Sequence, residues 1–265
     1  MVLAITAAVA GCGEGSGGDA EEGSTPTTVR ATTVPVPSTG GGTTVAPTSL
    51  TLRITDARLI VSEESDNGMR VLLPAGVTTA SVTINGLPSP NRVVSVCQAQ
   101  DLDRRFSGAA CRTPANGEAV NVALGTVASG LEIGATGSAG AGGTVTLEEV
   151  TIRYAASSRE VNVRLPQIAS GDSGGRPTFG LSPASSDGTY RATFAWTVIQ
   201  VFGGTNASGQ LELLEGGNVA GQSPSGATQV QLNGKVATPG GNATIRVQNT
   251  GSAALVTPKL NVLLP

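Results

Sequence analysis

After residue 49, apolar residues in stretch after stretch recur at every second position, and nowhere there do they sustain the helical period of about 3.6 residues. The clearest alternating run is Thr189 to Phe202. Tyr190, Ala192, Phe194, Trp196 and Val198 share one face, and Arg191, Thr193, Ala195 and Thr197 share the other. Successive side chains of a strand point to opposite faces, so this run predicts a half-buried strand with its apolar side inward. Shorter alternations occur at Val120/Val122/Leu124, Val161/Val163/Leu165, Leu211/Leu213, Ile245/Val247 and Leu260/Val262/Leu264. Between Thr144 and Tyr154 the phase changes: Val145 and Leu147 are odd-numbered, whereas Val150, Ile152 and Tyr154 are even-numbered. A flip at Glu148-Glu149 predicts a β-bulge. Asn-Gly pairs begin at Asn67, Asn85, Asn116 and Asn233, each expected to turn a hairpin because Asn-Gly tolerates positive φ. Asn85 follows the strand-like Ala80–Ile84, and Asn233 separates Gln229–Leu232 from Lys235-Val-Ala.

Short strands separated by Gly-rich turns predict an all-β fold, with one or two antiparallel β-sandwich domains of immunoglobulin-like or jelly-roll-like type. Aromatic residues are 3% of the chain, so its core is expected to be built from Val, Ile, Leu and Ala. The stretch 166–188 has no apolar period and is rich in Gly and Pro. A domain boundary is expected there, giving a first sandwich at 49–165, a linker at 166–177 and a second sandwich at 178–265. The alternative is one large sandwich crossed by a long loop.

The N-terminal apolar run ends at Gly11-Cys12 and is shorter than the roughly 20 residues that span a bilayer. Its length suits the hydrophobic region of a signal peptide. Val9-Ala10-Gly11-Cys12 resembles the lipobox of bacterial lipoproteins. The resemblance implies that 1–11 is a partial signal peptide, cleaved before Cys12, and that acyl chains on the Cys12 thiol and amino group tie the protein to membrane lipid. The sequence departs from the family in having no Lys or Arg ahead of the apolar run. A start codon assigned too far downstream would explain this. Residues 13–48 contain no Leu, Ile, Met or aromatic residue, a composition that cannot bury enough apolar surface to offset the entropy of ordering. Residues 12–48 are therefore expected to be a disordered, lipid-anchored linker, reaching about 30 Å as a coil and about 110 Å fully extended. The expected location is the cell surface or the periplasmic side of a membrane. Farther along, Thr189–Val201, Gly209–Glu215 and Asn242–Ser252 resemble, in strand rhythm, the pre-peptidase C-terminal type of bacterial β-sandwich module. That resemblance implies an accessory or adhesive role and carries over no catalytic residue.

Charge and residue chemistry narrow the function classes. Residues 13–48 hold Glu14, Asp19, Glu21 and Glu22 against Arg30 and so account for the net charge of −3, leaving the folded part neutral. Nucleic acid is therefore not an expected partner, since it calls for a basic face. The chain has no histidine, which removes the commonest general base and metal ligand. We expect no catalytic residues, no metal and no cofactor. Gly171-Asp-Ser-Gly-Gly175 resembles the surroundings of the nucleophile in chymotrypsin-like serine proteases, where Ser173 would attack the substrate carbonyl. That chemistry needs a base, and the only lysines are Lys235 and Lys259. The motif is expected to be a flexible turn. Asp101-Leu-Asp103 offers two carboxylates for Ca²⁺, but Arg104 and Arg105 follow directly and would repel it.

Cys97 and Cys111 remain once Cys12 is assigned to lipid, and an exported chain is expected to pair them. The loop they would close holds Asp101, Asp103, Arg104, Arg105 and Phe106, a dense group of charges around one aromatic. A constrained loop binds at lower entropic cost, and Arg with an aromatic is a common anchor pair. This loop is the expected partner-contact site. The expected function is a non-catalytic binding or adhesive module for a glycan, polymer or protein. The alternative is a structural subunit of a cell-envelope assembly, and a hydrolase accessory protein comes third. A concave face carrying Trp196 or Tyr154 would favour ligand binding, whereas core packing of both is the expected outcome.

Overall fold

The computed structural model describes residues 46–61, 68–87, 92–104, 110–125, 129–137, 143–170, 175–197 and 206–263. These residues form strands and no helix. In chain order the strands are β1 (Thr48–Val61), β2 (Met69–Leu72), β3 (Thr79–Asn85), β4 (Arg92–Ala99), β5 (Ala119–Ala123), β6 (Gly130–Gly137), β7 (Gly143–Ala156) and β8 (Glu160–Arg164). After a crossing segment come β9 (Thr178–Ser182), β10 (Thr189–Thr197), β11 (Gly209–Glu215), β12 (Asn218–Gln222), β13 (Gln229–Lys235), β14 (Ala243–Asn249) and β15 (Val256–Leu263).

Two antiparallel layers emerge from the pairing. Sheet I runs β5-β3-β7-β1-β9-β14-β11-β12, and sheet II runs β4-β6-β2-β8-β15-β10-β13. One parallel pairing, Val61 with Ala135, joins them. Strands β1 to β7 alternate between the layers in the jelly-roll manner, so each chain crossing buries one face of each strand. The all-β sandwich expected from the alternating pattern is the observed class.

The two-domain division is corrected. β1 pairs with β9 from Thr51↔Ser182 to Thr55↔Thr178, and β8 pairs with β15 from Arg164↔Lys259 to Glu160↔Leu263. Both sheets thus continue across the sequence boundary, and Thr44–Pro265 is one compact unit. Its core is one cluster in which Leu52 and Ile152 of the first half join Phe179 and Ile245 of the second. Nor are the described residues of 166–177 a free linker. Ile168 is buried and exchanges backbone hydrogen bonds with Leu255, and the Arg176 N–H donates to the Asp56 carboxylate at 2.8 Å.

Two further expectations are refined. The phase flip in β7 is present, but β1 flips at the same place: Leu50, Leu52 and Ile54 are buried, then Ala57, Leu59 and Val61. Thr55 pairs with Glu149 and Ala57 with Leu147, so the register does not shift as it would at a one-sided bulge. Asp56 takes a φ of 53°, a left-handed conformation that Asp tolerates better than most residues, and lets both strands change face together. Asn116-Gly117 does form a turn, with Gly117 at φ 75°. Asn233-Gly234 does not: β13 runs straight through it, Asn233 facing Arg191 and Gly234 facing Tyr190 on β10. A Cβ at Gly234 would lie 2.7 Å from a Leu213 methyl, which would have to swing aside. Asn67 lies outside the described residues.

Tyr190, Ala192, Phe194 and Trp196 point inward as the alternation predicts. The Phe194 and Trp196 rings lie 5.0 Å apart, tilted by 36°. Gly209 of β11 sits against both, and a Cβ there would approach the Trp196 ring to 2.6 Å. Gly209→Ala should therefore destabilise the fold by about 1–3 kcal/mol through overpacking, read as a lowered midpoint in urea with an unchanged m-value.

Candidate functional site

Sheet I turns a polar face outward, and register decides which side chains meet there. One cross-strand row reads Asn121, Ser81, Arg153, Thr51 and Ser182 from β5 to β9. The next reads Thr83, Thr151, Arg53, Gly180 and Thr244, and the third Asn85, Glu149, Thr55, Thr178, Arg246 and Glu212. Where β1 meets β9 and β14 the face is hollowed into a groove of about 410 Å³. Thr51, Arg53, Thr55, Thr178, Ser182, Asn242 and Thr244 supply its polar lining.

Gly180 opens this groove by having no side chain between Arg53 and Thr244. A Cβ at Gly180 would stand 3.2 Å from the Thr244 methyl. Arg53 leans the other way, donating from Nε to Glu149 Oε2 at 3.1 Å, while the Thr151 hydroxyl donates to Oε1 at 2.9 Å. The Arg53 hydrogen bond holds the Glu149 carboxyl below its ordinary range against the opposing effect of burial. The Thr55 and Thr178 hydroxyls bond to each other across the seam. Arg246 donates to Glu212 at 2.6 Å, and Gln248 binds the same carboxylate. Arg53 and Arg246 beside the groove are thus paired with carboxylates, and the lining presents hydroxyl, amide and aliphatic groups on paired strands. Pairing on both sides fixes such strands better than loops.

Sheet II carries the second arrangement. Arg70 of β2, Glu132 of β6, Arg164 of β8 and Lys259 of β15 occupy one outward row, because Arg70 faces Glu132 on one side and Arg164 on the other, and Arg164 faces Lys259. Cys97 of β4 stands at the Glu132 end and is disulfide-bonded to Cys111, with Cα atoms 4.2 Å apart. In the chain-entropy model a loop of this size stabilises the fold by about 3 kcal/mol. The expected disulfide is thus present. From Ala99 to Arg104 the chain folds back over the row. Leu102 accepts hydrogen bonds through its carbonyl from Arg70 and Arg164, each at 3.3 Å. Lys259 Nζ donates to Asp103 Oδ2 at 2.8 Å. Beneath this strap Arg70 is 0% exposed and donates from Nε to Glu132 Oε2 at 2.7 Å.

Of the expected contact loop, Asp101 shapes the strap, its Oδ1 accepting from the Asp103 and Arg104 N–H groups at 2.7 Å each. Asp103 faces its own sheet, and Arg104 is exposed with its Nε 3.6 Å from Asp101. Arg105 and Phe106 lie outside the described residues, as do Cys12 and Ser173. Trp196 and Tyr154 are core residues. Burial raises the Tyr154 hydroxyl above its usual pKa. Among the described residues no cluster of three or more Cys, Asp or Glu side chains has metal-site geometry. No local sequence pattern marks the groove. Its only signals were the outward hydroxyls of Thr51-Leu-Arg-Ile-Thr55 and Thr178-Phe-Gly-Leu-Ser182, which become a site only when paired.

No family model and no curated protein matches the chain. Among solved structures, the crystal structure of tripeptidyl peptidase 2 aligns with 79% of this chain but only 22% of its own length, at 10% identity and a TM-score of 0.24. The Macrobrachium rosenbergii nodavirus structure aligns with 90% of this chain and 96% of its own, at 7% identity and a TM-score of 0.25.

Removing one partner of a buried ion pair leaves the other charge poorly compensated. Arg70→Met or Glu132→Leu alone should each cost about 3–5 kcal/mol, and the two changes together should cost less than their sum. A double-mutant cycle in urea checks this. The Lys259 hydrogen bond holds the Asp103 carboxyl below the ordinary aspartate range, so this pair contributes stability fully above about pH 4 and loses it as acid protonates Asp103. Lys259→Ala should move the Asp103 titration upward, measurable by NMR of its carboxyl carbon.

Proposed function

We propose that the chain is a membrane-anchored, non-catalytic binding module that presents the groove of sheet I to a glycan, polymer or protein of the cell envelope. The groove itself carries this reading. It lies on a continuously paired sheet, its floor is opened by Gly180, and its lining offers hydroxyl and amide groups able to donate and accept along an extended polar ligand. Arg53 and Arg246 beside the groove are already paired with Glu149 and Glu212, which suits a ligand recognised by hydrogen bonding more than by net charge. The absence of histidine from the sequence supports a binding role over general-base chemistry. The lipobox-like Val9–Cys12 and the polar stretch after it support display at a membrane surface.

Gly180→Trp tests the groove, because the new side chain would fill it from the floor. On an array of neutral and acidic envelope polysaccharides, this variant should lose at least about tenfold in affinity for whatever the wild type retains, with its circular dichroism unchanged. Equal retention by both proteins would refute the groove as the binding site. Cys12→Ser tests the anchor. It should move the protein from the detergent phase to the aqueous phase in partitioning, and continued detergent partitioning would refute tethering at this cysteine.

A further inference from the structure

Three cations on adjacent strands stand side by side on sheet II, Arg70 opposite Arg164 and Arg164 opposite Lys259. Like charges directly opposite one another destabilise a sheet, so such a row needs an anion over it. Glu132 serves the Arg70 end. The other end is served from outside the sheet by two consecutive residues of the strap. The Leu102 carbonyl receives hydrogen bonds from both guanidinium groups, and the Asp103 carboxylate receives one from the Lys259 ammonium. A backbone carbonyl followed directly by an aspartate side chain is how an acidic peptide would present itself to this row. The Cys97–Cys111 disulfide and the Asp101 turn hold that short peptide in place. Lys259 is 42% exposed and Asp103 62% exposed, so this end of the row is open to solvent and to competition.

We propose that Arg70, Arg164 and Lys259 form a binding cradle for an acidic peptide segment, and that Leu102 and Asp103 occupy it as a built-in pseudo-ligand. A free peptide competes poorly with a tethered one, because the tether gives the resident group a high effective concentration. Weakening the resident uncovers the site. This cradle lies on sheet II and is independent of the sheet I groove.

The test uses the full chain and a fluorescein-labelled oligo-aspartate, read by fluorescence anisotropy at low salt, with a heparin oligosaccharide as a second probe. Asp103→Asn, which keeps the disulfide, should bind oligo-aspartate about tenfold more tightly than wild type, the scale of one charge-assisted hydrogen bond. Adding Arg164→Gln to Asp103→Asn should return binding to the wild-type level while circular dichroism remains unchanged. Cys97→Ser with Cys111→Ser should show the same gain where it folds, and Asp103→Asn alone decides the matter where it does not. Asp103→Asn binding no more tightly than wild type, or a gain that survives Arg164→Gln, would overturn the cradle. A gain for heparin without a gain for oligo-aspartate would overturn the peptide assignment.

Discussion

Backbone hydrogen bonding across the seam, β1 to β9 in one sheet and β8 to β15 in the other, is the constraint from which the remaining features follow. Without those two ladders each half would expose two strand edges with unpaired N–H and C=O groups. Such edges invite pairing with other chains. With them, the apolar sides of Leu52, Phe179, Val163 and Leu260 close over a single core. The small number of aromatic residues is tolerable because this core is long and contiguous, and because Phe194 and Trp196 are placed where Gly209 leaves room for them.

The seam also places both polar sites. The groove lies over β1, β9 and β14, with lining from both halves of the sequence, and neither half could form it alone. The cationic row crosses the second ladder, since Arg164 belongs to the first half and Lys259 to the second. Charge is handled locally on each outer face. Arg53 answers Glu149, Arg246 answers Glu212, Arg70 answers Glu132 and Lys259 answers Asp103. The first three pairs lie along cross-strand rows, where register brings them opposite or nearly so, and the fourth joins the strap to its sheet. The exposed pairs contribute little to stability, but they leave the groove lining free of competing net charge.

What was legible in the sequence was whatever depends on local pattern. Alternation identified the strands and their buried faces from Val161 and Val163 to Leu260 and Val262, because a period of two is a property of one segment. Pairing partners were not legible. Thr51 and Ser182 are far apart in the chain, and nothing in either segment specifies the other. The Gly- and Pro-rich stretch after Leu165 therefore read as a domain boundary, although the hydrogen bonds of Ile168 and Arg176 tie it into the fold. Asn233-Gly234 read as a turn for a related reason, since local turn propensity yields when both flanking segments pair with one continuous strand, β10. The disulfide and the charged loop could be foreseen from Cys97, Cys111, Asp101 and Asp103. That Asp103 would meet Lys259 could not, because the contact depends on β15 lying beside β8.

Scanning calorimetry of the intact chain tests the central claim, that two sequence halves share one sandwich, most directly. One core and two continuous ladders make the halves fold and unfold together. The account predicts a single transition whose calorimetric and van't Hoff enthalpies agree. Two resolved transitions, or a van't Hoff enthalpy of about half the calorimetric value, would show that the halves melt independently and would contradict it.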